Sequence, residues 1–122
     1  ISCQSFGFRN GLPQDADLVF DVRCLPNPYY VPELKEHDGT EGPVRDYVMN
    51  APESHEMLQK LEELLAFSIP LYQREGKSQL VVAVGCTGGR HRSVAIACQL
   101  AAYLRSLGYR VELSHRDKDN RR

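Results

Sequence analysis

The stretch Cys86-Thr87-Gly88-Gly89-Arg90-His91-Arg92-Ser93 has the residue types and spacing to do chemistry. It follows an apolar run, Leu80 to Val84, and precedes a helical pattern, Val94 to Leu107, so it reads as strand, glycine loop and helix start. The first turn of a helix carries N–H groups without intrahelical partners, at the positive end of the macrodipole. Glycines let the backbone curl until such N–H groups converge on one anion. Arg90, His91 and Arg92 add side-chain donors. The chemistry predicted is capture of a phosphate.

A second chemistry fits the same residues. Cys86, Gly89, Arg92 and Ser93 have the spacing Cys-x-x-Gly-x-x-Arg-Ser, the signature of cysteine-dependent phosphatases. There a thiolate at the base of an N–H nest attacks phosphorus, an arginine bridges two oxygens and a hydroxyl helps the thiolate leave; the helix dipole lowers the thiol pKa. Gly85 stands where those enzymes usually have a histidine, and the general acid such a reaction needs would fall to Asp38 or Asp46, neither in a recognisable acid loop. Without Gly-Lys-Ser/Thr there is no standard nucleotide P-loop. His115-Arg116-Asp117 mimics a kinase catalytic loop, but its surroundings do not follow the pattern. His91 has no second metal ligand at suitable spacing, which leaves it a phosphate-donor or capping role.

The elements that position the loop follow from periodicity. Ile1 to Phe8 and Ala16 to Val22 read as strands, Gln79 to Gly85 as a third, and alternating Tyr109, Val111 and Leu113 as a fourth. Pro52 starts a helix from about Glu53 to Tyr72, kinked or ended by Pro70. A second helix starts at Arg92 or Ser93, with Gly108 after its end. Residues 25–32 are too proline-rich for regular structure, residues 33–43 read as a mobile surface excursion, and Asp117 to Arg122 as a charged tail. Strands alternating with helices predict an α/β layered sheet with flanking helices, with ligands at the carboxyl ends of the strands. Arg23, the Cys86 loop, His115 and Arg116 all fall at that edge. Tyr29 and Tyr30 are candidates for stacking bases, or for packing against the fold.

At 122 residues the chain suits one domain. No run of about 18 apolar residues marks a membrane span. Cys3, Cys24, Cys86 and Cys98 form no CxxC pair, which suits reduced thiols in a cytoplasmic protein. There is no initiator Met, and a start inside a strand-like stretch suggests a piece of a longer protein. Net charge is −1, but residues 1–85 hold 7 basic and 13 acidic side chains and residues 86–122 hold 8 and 3. Arg supplies 11 of the 15 basic residues, and its planar fork suits phosphate. A basic last third beside a phosphate loop points to an anionic partner.

Five segments occur in one order in a known family: Ser5 to Gly11, Asp15 to Arg23, Leu25 to Tyr29, Val84 to Ser93 and His115-Arg116-Asp117. On these the whole chain resembles the C-terminal domain of the RapZ/YvcJ family of RNase adapter proteins. The resemblance implies a phosphofructokinase-like α/β subdomain, normally preceded by a P-loop domain that takes ATP or GTP, with no cofactor in this domain. It implies partners: small regulatory RNA, an endoribonuclease to which that RNA is presented, glucosamine-6-phosphate as the sensed amino-sugar phosphate, and a homo-oligomer. By position it implies a phosphate or ligand site at Cys86, Thr87, Gly88, Gly89, His91, Arg92 and Ser93 with Arg23 and Asn27. It implies RNA contacts at Arg9, Asn10, Arg23, Arg90, Arg116, Lys118, Arg121 and Arg122. The chain departs from the enterobacterial pattern at Tyr29 and Asn10, where histidines are usual, and in a tail less densely basic. Two alternatives stand beside the adapter reading: a cysteine phosphatase using Cys86 and Arg92, and a metabolite sensor without an RNA role.

Overall fold

The computed structural model describes residues 1–120. Strands β1 (Ser2–Gly7), β2 (Leu18–Asp21), β3 (Val81–Cys86) and β4 (Glu112–His115) form one fully parallel sheet in the order β2-β3-β1-β4. Helices α1 (Gly42–Met49), α2 (Pro52–Arg74) and α3 (Arg92–Ser106) complete the α/β domain. The two central strands read as near-continuous buried runs, as parallel strands covered on both faces must. Phe6 on β1 and Val82, Ala83 and Val84 on β3 are fully buried. Leu61, Leu65 and Ile69 on α2 and Ile96, Leu100 and Leu104 on α3 recur at helical spacing, and the core forms between them and the sheet.

Two local expectations are corrected, and of the two alternatives at Pro70 one falls away. Pro70 does not end α2, which continues to Arg74. A proline deletes one ladder bond, and the buried Leu61–Leu65–Ile69 face holds the helix across it. The segment after Pro32 is no free excursion. Gly42-Pro43 opens α1, where proline suits the first turn because its missing N–H would have had no partner there, and Val44 and Val48 bury its inner face. Residues 35–39 are tied to the Cys86 loop: Gly39 N donates to the Arg90 carbonyl at 2.7 Å, and Arg90 Nη2 donates to the Glu36 carbonyl at 2.8 Å.

The expected charged tail is folded back through residue 120. The Asp117 carboxylate is buried and accepts the Gly7 N–H at 2.7 Å and Arg116 Nη2 at 2.9 Å. Asn120 Nδ2 donates to Asn10 Oδ1 at 3.2 Å. Arg121 and Arg122, expected to touch RNA, lie outside the described residues. Among the described residues no helix is long and apolar enough to cross a membrane.

Candidate functional site

The carboxyl ends of β1 and β3 lie side by side, with Gly7 paired in register with Cys86. The turn after β1 therefore meets the loop after β3, and Arg9 N donates to the Thr87 carbonyl at 3.1 Å. Gly89 takes φ +81°, a left-handed conformation of the kind from which backbone anion nests are built. A Cβ there would lie 2.5 Å from Gly7 N and 2.8 Å from Phe6 C, so the loop rests against the β1 backbone itself. The chain then enters α3 at Arg92, and the N-terminus of that helix faces the same edge.

An open cavity of about 490 Å³ occupies this edge. Of the expected phosphate ligands, Cys86, Thr87, Gly88, His91, Arg92 and Asn27 line it, as do Arg9 and Arg90 from the expected RNA contacts. Among the described residues, four cationic residues, Arg9, Lys35, Arg90 and Arg92, line it with one carboxylate residue, Glu36. Arg92 is only 5% exposed, and its Nη1 donates to the Leu25 carbonyl at 3.3 Å and also to that of Arg23. Its Nη2 donates to Thr87 Oγ1 at 3.4 Å, and its Nε is buried without a partner. A guanidinium offers donors only, so the Arg92 group that lines the cavity favours an acceptor such as an oxyanion. Arg9 places its guanidinium beside Gly88, within 3.6 Å of where a Cβ on that glycine would stand.

Other expected ligands have structural work. His91 Nε2 meets the Lys35 carbonyl at 3.0 Å, so it carries the proton and donates. Burial, with the Arg90 and Arg92 charges, holds the His91 pKa below the usual histidine range against backbone hydrogen bonds to Lys35 and His37. The ring fastens the segment before α1. It makes no capping bond to α3. Arg90 Nη1 donates to the Lys118 carbonyl at 2.7 Å, clasping the returning tail as it clasps Glu36.

Arg23 does not line the cavity; its side chain pairs with Asp21 at 2.7 Å and lies over the Phe8 ring. Arg116 is held by Asp117 and the Gly11 carbonyl, and Lys118 Nζ lies 3.8 Å from Asp38. Gly89, Ser93 and Asn10 also lie outside the lining, Gly89 as the backbone pivot and Ser93 as the partner of Cys86. Asn27 Oδ1 accepts the Tyr29 N–H at 3.1 Å and caps the turn Pro28–Tyr30. Lys35, Glu36 and Asn120 line the cavity without having been expected to; they lie in segments read as mobile or as tail. A charged pair just before a Gly/Pro cluster was the only available hint.

The Cys86 thiol is buried and donates to Ser93 Oγ at 3.2 Å, in keeping with the phosphatase spacing. Neither Asp38 nor Asp46 lines the cavity. Burial raises Asp38, yet hydrogen bonds from Thr40 and the charges of Lys118 and Arg90 together hold it below the usual carboxylate range. A carboxylate in that state is a poor proton donor near neutrality. Asp46 is exposed beside Arg45.

Fold and site together define an α/β domain with a cationic, glycine-built pocket at the carboxyl edge of a parallel sheet. The model of the RapZ C-terminal domain matches residues 1–119, and the chain belongs to that family. It is 60% identical over 119 residues to a nucleotide-binding protein of Alkaliphilus oremlandii, covering 98% of this chain and 41% of that one. A nucleotide-binding protein of Geobacter sulfurreducens is 56% identical over 98% of this chain and 42% of its own. One from Bacillus cytotoxicus is 52% identical over 100% of this chain and 41% of its own. The chain thus spans about two fifths of the length of these relatives.

Proposed function

We propose that this domain is a non-enzymatic binding module that takes a phosphate monoester, an amino-sugar phosphate such as glucosamine-6-phosphate, in the cavity beside Gly88, and that RNA places a backbone phosphate in the same pocket. The observation that carries the reading is Arg92, only 5% exposed yet lining a cavity that Arg9, Lys35 and Arg90 also line, with Glu36 the one carboxylate residue among the described lining residues. The phosphate goes to Arg92, Thr87, Gly88 and the N-terminus of α3, with Cys86 as a small lining residue. Glu36, the one carboxylate residue among the described lining residues, suits the ammonium of an amino sugar and gives a reason to prefer it over a plain hexose phosphate. Arg9 and Lys35 extend the positive wall for neighbouring RNA phosphates.

In a longer protein the module would serve as the ligand-sensing and RNA-holding part of an RNase adapter. It would work as a homo-oligomer in the cytoplasm, with an endoribonuclease as partner and with ATP or GTP bound elsewhere in the protein. The name nucleotide-binding protein, carried by relatives more than twice as long, agrees with that division.

The test is a titration with a structured small RNA, with and without glucosamine-6-phosphate, at two salt concentrations. Salt-sensitive RNA binding displaced by the sugar phosphate is expected, with a log-log slope of roughly −0.7 per phosphate contacted. A slope near zero refutes the RNA contact. A preference for glucosamine-6-phosphate over glucose-6-phosphate that shrinks in Glu36→Gln is expected as well. Phosphate-ester turnover that vanishes in Cys86→Ser would instead establish a cysteine phosphatase.

A further inference from the structure

The cavity also has an aromatic wall. Tyr29 and Tyr30, two of its lining residues, are 50% and 79% exposed, so the expectation that they pack against the fold does not hold. They are not loose. Buried Pro28 opens their turn, the Asn27 carbonyl accepts the Tyr30 N–H at 3.2 Å, and the Pro28 carbonyl accepts the Val31 N–H at 2.9 Å. The rings meet edge to face at 5.5 Å, and Lys35 Nζ lies 4.6 Å from the Tyr29 ring centre, over its face. Tyr29 is thus buttressed on two sides, and Tyr30 is the more open ring.

An exposed phenol ring on a hydrogen-bonded turn beside a phosphate nest offers apolar area that a ligand can cover. A planar ring is the group that fits it, since stacking on tyrosine needs a π-face and little else. The volume also falls within the range of roughly 300–1,000 Å³ typical of small-molecule sites. We infer that the pocket accepts one nucleotide unit, its phosphate in the Gly88 nest against Arg92 and its base stacked on Tyr30. This rests on the phosphate-binding reading above and adds the class of group attached to the phosphate. A free mononucleotide and a single-stranded RNA segment share that chemistry.

The test compares inorganic phosphate, glucosamine-6-phosphate, AMP and a short single-stranded RNA with no terminal phosphate, by calorimetry and by tyrosine fluorescence. The chain has no Trp, so quenching reports its tyrosines directly. AMP is expected to bind roughly 5- to 150-fold tighter than inorganic phosphate, the effect of one stacked base, with quenching. Tyr30→Ala should collapse that AMP-to-phosphate ratio toward one, and Tyr30→Phe should retain it. Phosphate and sugar phosphate binding with AMP no tighter than phosphate overturns this inference and leaves the phosphate reading intact. Binding of none of the four ligands overturns both. If the ratio holds, RNA tighter than AMP assigns the site to a strand and AMP tighter than RNA assigns it to a free nucleotide; either result upholds the base-and-phosphate site. A Tyr30→Ala variant that weakens phosphate and AMP alike also overturns it, because the ring would then only support the fold of the pocket.

Discussion

Replacing Gly89 by alanine tests how the anion loop is held. Two costs add at this residue. The backbone is at φ +81°, and a left-handed conformation costs a residue with a Cβ about 1–2 kcal/mol. The new Cβ would also stand 2.5 Å from Gly7 N, 2.8 Å from Phe6 C and 2.9 Å from Asp117 Cβ. The first two are backbone atoms of β1 and its end, which cannot swing aside, so overpacking adds about 1–3 kcal/mol. The sum, about 2–5 kcal/mol, is a large share of a domain stability of about 5–15 kcal/mol. Gly108, at the C-terminal end of α3, gives the control: its φ is +96°, but nothing lies within 4 Å of where its Cβ would stand. Gly108→Ala should therefore cost only the conformational part, about 1–2 kcal/mol. In paired thermal melts, at about 4 °C per kcal/mol, Gly89→Ala should lower Tm by roughly 8–20 °C and Gly108→Ala by roughly 4–8 °C. Urea titration should show the same order. Equal losses in the two variants would refute the close contact between the loop and β1.

Arg92→Ala should remove phosphate and sugar-phosphate binding, and should also destabilise the chain, because the Arg23 and Leu25 carbonyls lose their shared donor. Arg92→Lys should not restore binding, since one ammonium cannot serve both carbonyls, Thr87 and the ligand at once; calorimetry with urea unfolding checks both effects. Asp117→Ala should cost about 1.5–3 kcal/mol at neutral pH, the usual worth of a hydrogen bond to a charged group, since Gly7 N–H and Arg116 lose their acceptor. Burial raises the Asp117 carboxyl, but hydrogen bonds from Arg116 and Gly7 N–H outweigh it and hold it below the usual range. With a depressed folded-state pKa, that stabilisation is complete above the unfolded value near 3.9 and is lost as pH falls below it. Melts of the wild type and Asp117→Ala should accordingly differ from about pH 5 upward and converge in strong acid, and a gap that persists there would point to packing rather than charge.

Much of the fold was legible because it rests on near neighbours. The apolar run into Cys86, the glycines and the spacing of Val94, Ala97, Ala101 and Leu104 depend only on local backbone geometry and period. They placed β3, its loop and α3 where the structure has them. The short helix α1 was missed because eight residues opened by Gly42-Pro43 look like a turn until Val44 and Val48 find a core to face. Among the residues that line the candidate cavity, Cys86, Thr87, Gly88 and Arg92 were singled out for the same local reason.

Charge is where sequence and structure part. The sequence by itself determined that arginines concentrate in the last third of the chain; it did not determine which of them face a ligand. Two partners are sequence neighbours, Asp21 for Arg23 and Asp117 for Arg116, whereas the carbonyls of Glu36 and Lys118 that take Arg90 are supplied by tertiary folding. Lys35 and Glu36 join the cavity through long-range bonds, His91 to the Lys35 carbonyl 56 residues away and Arg90 to the Glu36 carbonyl 54 residues away. A side chain's type is written locally, but its availability depends on which partner folding brings within about 3 Å of it.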